Sequence, residues 1–132
     1  MDIIFKPGTH KEINEILLNR LPEDKRLYAE YKTAIYLISL VETEIPGVAD
    51  QIFDFKNLTI RPQVLEKSWQ TGSTKRTLWL CYNLWNGFYA SVWDIFGYSH
   101  WDRYYIEAIR IRFESTCTFD EEAFFAKFLK KS

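Results

Sequence analysis

Cysteine and histidine are scarce, with 2 of each in the 132-residue chain. Cys81 and Cys117 lie far apart, with no C-x-x-C and no Cys/His cluster, which argues against a zinc site and predicts two free thiols in a reducing cytoplasm. His10 and His100 each fall near an expected helix start. "SHWD", Ser99 to Asp102, holds the residue types of a hydrolytic triad, but neighbours within one helical turn point in different directions. A Cys81–His100 dyad would need an accessible thiol in an electropositive setting, whereas Cys81 falls on the apolar side of its expected helix. Asp94 and Asp102 lack metal-ligand spacing. No catalytic residue, metal ligand or cofactor is assigned, and an enzyme of unknown class is the third-ranked reading.

Long hydrophobic runs are missing too. "AIYLISLV", Ala34 to Val41, is too short to span a bilayer, and "MDIIFKPGTHKE" lacks the basic region, long apolar core and small-residue cleavage site of a secretory signal. Nor does charge of one sign dominate: 17 bases against 18 acids leave a formal net charge of -1, which favours neither disorder nor a strongly basic nucleic-acid binder. Repeats, low-complexity tracts and linkers are absent. The expectation is a cytoplasmic single globular domain spanning residues 1–132, with no membrane contact and no assigned oligomeric state.

Aromatic residues are abundant, with ten Phe, eight Tyr and five Trp, so much of the burial and any interface energy resides in rings. Charge is also unevenly spread. Residues 1–54 carry six bases and ten acids, whereas residues 55–112 carry eight bases and four acids.

Periodicity and punctuation predict an all-α fold of about six short to medium helices. Thr9 and Glu12 read as a capping box before a helix to about Leu21, where Pro22 ends it. Asp24 reads as the cap of a helix from Lys25 to Val41 with the stripe Leu27, Tyr31, Ala34, Ile38, Val41; its second half is apolar all round, as befits the central helix. Thr43 or Glu44 opens a shorter helix with Pro46 in its first turn, and Pro62 starts another. Ser73 or Thr74 reads as the cap of a helix with a Leu78, Cys81, Tyr82, Trp85 core side and a stop at Asn86-Gly87. A small β-hairpin turning at Asn86-Gly87 is the competing reading there. Ser99 and Asp102 open a helix to about Glu114, and Asp120 caps a last one.

"QTGSTKRT", Gln70 to Thr77, fails as a phosphate loop, because it has one glycine and lacks the G-K-[ST] ending after a strand. Arg103, Glu107, Arg110 and Glu114 form an alternating stripe expected to face solvent. Arg112 falls on the opposite side, among Trp101, Tyr105 and Ala108, where it needs a carboxylate, carbonyl or ring; Asp54 and Asp94 are the expected partners, and an anion site is the functional alternative. Trp79 sits in a polar row with Lys75, Asn83 and Asn86, as a covered residue or as a partner contact.

"FDFKNLTIRPQVLEKSWQTGSTKRTLWLCYNLWNG", Phe53 to Gly87, with its WQTGS block, and "DRYYIEAIRIRF", Asp102 to Phe113, resemble a group of small uncharacterised proteins of Gram-positive bacteria, their phages and mobile elements. That resemblance implies context and no chemistry: an accessory protein that binds and inhibits a bacterial defence complex such as a CRISPR nuclease. The leading expectation is thus a non-enzymatic protein-interaction module with the contact residues Trp69, Lys75, Arg76, Trp79 and Asn83. The alternative is a nucleic-acid-binding accessory protein using the basic 55–112 segment, with affinity that falls steeply with salt.

Overall fold

The computed structural model describes residues 2–114 and residue 126, so the helix expected after Asp120 lies outside the described residues apart from Ala126. Six helices and one two-stranded antiparallel sheet make up the regular structure there: α1 (His10–Asn19), α2 (Ala29–Glu44), α3 (Ala49–Ile52), β1 (Phe53–Asp54), β2 (Thr59–Ile60), α4 (Gly72–Asn86), α5 (Val92–Ile95) and α6 (Asp102–Glu114). Short 3-10 turns lie at Glu23–Lys25 and Pro62–Glu66. Among the described residues, no helix is long and apolar enough to cross a membrane.

The run from Ala34 to Val41 makes α2 the central helix, buried on every side by α1, α4 and α6. A helix apolar all round is stable only when neighbours cover its whole circumference. Two buried hydroxyls on it are satisfied locally, Thr33 donating to the Ala29 carbonyl and Ser39 to the Ile35 carbonyl, the usual way a helix tolerates such groups. Leu78, Cys81 and Tyr82 from α4, and Tyr104, Tyr105, Ala108 and Ile111 from α6, complete this core.

The mostly helical fold and a small hairpin are as expected, but the hairpin sits elsewhere. It pairs Phe53 with Ile60 and Asp54 with Thr59. The Asp54 carboxylate accepts the backbone amides of Lys56 and Asn57 at 3.0 Å each, and Leu58 takes a positive φ of 58° to close the turn. Asn86-Gly87 instead ends α4: Gly87 adopts φ 78°, and its amide donates to the Asn83 carbonyl. That conformation is cheap only without a Cβ.

Several expected helix boundaries shift. Thr9 precedes α1 but has helical dihedrals and makes no side-chain cap, whereas a capping hydroxyl needs an extended backbone to reach back. Asp24 lies in a 3-10 turn and caps nothing; α2 starts after the extended Tyr28, which leaves Leu27 exposed. Arg26 lies there too, donating from Nε to the Leu21 carbonyl and from Nη2 to the Asn19 carbonyl, so it closes the end of α1. Thr43 and Glu44 finish α2 rather than opening a helix. The next one is capped from behind by Glu42, whose carboxylate accepts the Gly47 and Ala49 amides.

The charged stripe on α6 is only partly solvated. Glu107 is buried, and besides Arg110 it accepts the backbone amide of Ile4. The hydrogen-bonded Arg110 guanidinium, aided by the Ile4 amide and opposed by burial, holds the Glu107 carboxyl below the usual range. The N-terminal segment is fastened by three further hydrogen bonds, one of them from the Lys6 ammonium donating to Thr43 Oγ1 at 3.3 Å. Tyr36 donates its hydroxyl to the Ile4 carbonyl, and the Lys6 amide donates to His10 Nδ1 at 3.0 Å. The buried His10 Nε2 lies 2.9 Å from the Tyr36 carbonyl oxygen, so the neutral ring carrying its proton on Nε2 satisfies both contacts.

Candidate functional site: an aromatic surface beside α4

The N-terminus of α4 is capped by Thr71, two residues before Ser73 and three before Thr74, the expected caps. Thr71 is extended, its Oγ1 accepts the Thr74 amide at 3.1 Å, and Thr74 Oγ1 accepts the Thr71 amide at 2.8 Å. This is a capping box with threonine in the return position. Ser73 and Thr74 are already inside the helix, and Thr74 is fully buried.

Four of the expected contact residues lie along α4. Lys75 is exposed, and Arg76 is half-buried with its guanidinium 4.6 Å from the ring centre of Tyr98. Trp79 is half-buried against the core. Asn83 donates from Nδ2 to the Phe88 carbonyl at 2.8 Å, which turns the chain back alongside the helix. Trp69 is engaged with α3 instead, donating its indole N–H to Gln51 Oε1 at 3.0 Å. Arg112 finds neither Asp54 nor Asp94. Its Nε donates to the Leu84 carbonyl at 3.0 Å, and its guanidinium lies over the Phe113 ring. Asp54 pairs with Arg61.

The segment that covers α4 is the feature that sequence reasoning passed over. Residues 88–98 include Tyr89 and Trp93, each 87% exposed, with Phe88, Val92 and Tyr98 also exposed. The reason is geometric. α5 is a single turn, held by a Ser91–Asp94 capping box, and one turn presents only one side to the core. Ile95 takes that side, and Phe96 next to it packs edge-on against Tyr105; the remaining large side chains face outward. The readable signal was an aromatic-rich stretch, "FYASVWDIFGY", after a helix stop and without helical periodicity.

Between this segment and α4 is an open cleft of about 250 Å³ lined by Trp79, Tyr89, Ala90 and Asp94. Ser91 fixes Asp94 from below: its hydroxyl donates to Asp94 Oδ2 at 2.8 Å and its amide contacts the same oxygen at 3.4 Å. A second open cleft, of about 390 Å³, lies between Asp50, Gln51, Arg61, Gln63, Val64 and Lys67, and there Asp50 is tied to Arg20.

The residues considered for catalysis do not assemble. Cys81 is buried in the core with Sγ 3.9 Å from the Ala34 carbonyl oxygen, and burial pushes its thiol up to about 12, whereas nucleophilic thiols are exposed and shifted the other way. His100 is exposed in the turn before α6. The bases of segment 55–112 are in part internally engaged: Arg61 with Asp54, Arg110 with Glu107 and Glu114, Arg112 with the Leu84 carbonyl.

The model of a family of unknown function matches residues 1–124 of the chain. Comparison with curated proteins and with solved structures returned no match.

Proposed function

The chain belongs to DUF6075, a family of unknown function, and on that footing we propose that it is a non-enzymatic module that binds a protein partner through the aromatic surface of residues 88–98. The observation that carries this reading is the exposure of Trp93 and Val92 on the one-turn helix α5, with Phe88 and Tyr89 exposed before it and Tyr98 after it. Tryptophan and tyrosine are the residue types that dominate binding energy at interfaces, and a contiguous apolar patch in water is costly unless a partner covers it. Lys75 and Arg76 from α4 are kept at the edge of this surface, with Trp79 and Asn83 beside the segment, whereas Trp69, held by Gln51 of α3, is left out of the proposed contact set.

The finer reading is a phage or mobile-element accessory protein that inhibits a bacterial defence complex such as a CRISPR nuclease. It rests on the resemblance of the Phe53–Gly87 and Asp102–Phe113 blocks alone. The nucleic-acid alternative is weakened by the ion pairing of Arg61 with Asp54 and of Arg110 with Glu107 and Glu114, because a guanidinium already paired with a carboxylate releases fewer counterions on binding a phosphate backbone.

Capture from a lysate of the native host, followed by a purified binding measurement, tests the proposal. Saturable, stoichiometric binding to one protein, lost in Trp93→Ala and Tyr89→Ala, supports it. Equal capture by wild type and both variants overturns the surface, and binding that tracks added nucleic acid and collapses with salt favours the alternative.

A further inference from the structure

The cleft between Trp79 and Tyr89 combines two aromatic walls with one carboxylate. Aromatic faces attract cations, tryptophan most strongly, and a carboxylate at the same opening adds the opposite charge. The cation–ring pairs of the described residues involve Trp101, Phe55, Tyr28, Tyr98, Tyr104 and Phe113; Trp79 and Tyr89 are not among the rings so used. Asp94 likewise stands outside the ion pairs of the described residues. The volume of about 250 Å³ lies below the roughly 300–1,000 Å³ of sites that enclose whole small molecules, which suits one inserted side chain.

The carboxylate also discriminates between the two basic side chains. Asp94 Oδ2 already faces both the hydroxyl and the amide of Ser91, which leaves Oδ1 for a ligand. A guanidinium draws its advantage from a two-oxygen, fork-to-fork contact, whereas an ammonium is a point charge served by one oxygen.

We infer that the Trp79–Tyr89–Asp94 cleft is a receptor for a lysine side chain presented by the protein partner. The inference deepens the proposed binding function and rests on it for the partner, while the chemistry of the cleft is open to direct test without one.

The test uses Nα-acetyl-lysine methylamide as the ligand, with its norleucine and arginine counterparts, on the full chain. The indole N–H resonance of Trp79, assigned by its loss in Trp79→Phe, is followed by NMR. The lysine compound is expected to shift that resonance saturably, the arginine compound to bind more weakly, and the norleucine compound to leave it unmoved. Asp94→Asn keeps an oxygen for the Ser91 cap and is expected to weaken lysine binding at least about fivefold. Tyr89→Leu, at a site too exposed to affect folding, is expected to weaken it as well. No saturable shift, equal binding of norleucine and lysine, tighter binding of arginine, or an unaltered Asp94→Asn variant each overturns the assignment. Partner capture by Trp93→Ala is scored separately. Loss of capture with no lysine response sinks the cleft alone, and a lysine response with no Trp93-dependent partner sinks the wider binding surface alone.

Discussion

Arg112 Nε donates to the carbonyl oxygen of Leu84 at 3.0 Å, so a cation from α6 closes the C-terminal turn of α4. The Leu84 carbonyl is one of the groups that a helix end leaves without an intrahelical partner, and positive charge is favoured there. Arg112→Ala is therefore expected to lower unfolding stability by about 1–2 kcal/mol, seen as a lower melting temperature of the isolated protein. Arg112→Lys recovers only part, since an ammonium lacks the directed Nε–H. Unaltered melting of Arg112→Ala would contradict this role.

The cap of α4 separates two neighbouring hydroxyls. Thr71→Ala removes the acceptor for the Thr74 amide and is expected to cost about 1 kcal/mol in urea unfolding. Ser73→Ala loses only a marginal 3.5 Å contact from Arg76 and is expected to stay within about 0.5 kcal/mol. The reverse order would restore the cap at Ser73.

His10 couples stability to pH. Burial, with a smaller contribution from the Lys6 charge and against the hydrogen bond to the Tyr36 carbonyl, lowers its proton affinity when folded. The unfolded chain therefore binds a proton first as pH falls. Stability is full above the ordinary value of about 6.5 and is lost as pH drops below it and through the lower folded-state value. The slope in that window has the sign of stability falling as pH falls and stays below the one-proton limit of about 1.4 kcal/mol per pH unit, measured by urea unfolding across a pH series. His10→Gln is expected to be less stable near neutrality but to lack the slope, whereas His100→Gln keeps it.

The outward aromatics of α5 and its flanks predict function without stability. Trp93→Ala and Tyr89→Ala are expected to change unfolding by no more than about 0.5 kcal/mol while reducing partner affinity tenfold or more. Trp79→Ala, at a half-buried ring packed on the core, is expected to lower stability by about 1–3 kcal/mol. Thermal melts paired with titration calorimetry on the captured partner distinguish the two kinds of residue.

Cys81 is expected to be inert. In a Cys117→Ser background, a thiol reagent near neutral pH should label Cys81 only as fast as the protein opens, because the sulfur is buried and held as the thiol. Rapid stoichiometric labelling of the folded protein would revive the dyad reading.

Much of the helical framework was legible along the chain. The all-round apolar run Ala34–Val41 announced a central helix, Pro62 announced a short helix, which forms as a 3-10 turn, and Asn86-Gly87 announced a stop, because each depends on periodicity or on backbone freedom carried by the residues themselves. The contact residues on α4 were legible only in part: Trp79 was singled out by its place among polar neighbours, but the aromatic cover beside it was not.

What depended on distant partners could be settled only by the folded molecule. Glu107 looked like a surface residue on its helix until the Ile4 amide, 103 positions away, met it, and Arg112 had two carboxylates to choose from until the Leu84 carbonyl came within reach. Thr71, rather than Ser73, became a cap because its backbone is extended where theirs is helical. Trp93 stayed outside because the single turn of α5 can turn only Ile95 inward. Local sequence sets which segments coil, since coiling is a property of neighbours a few residues apart. Which side is buried, and which charge finds which oxygen, is settled by packing between segments that the chain order keeps apart.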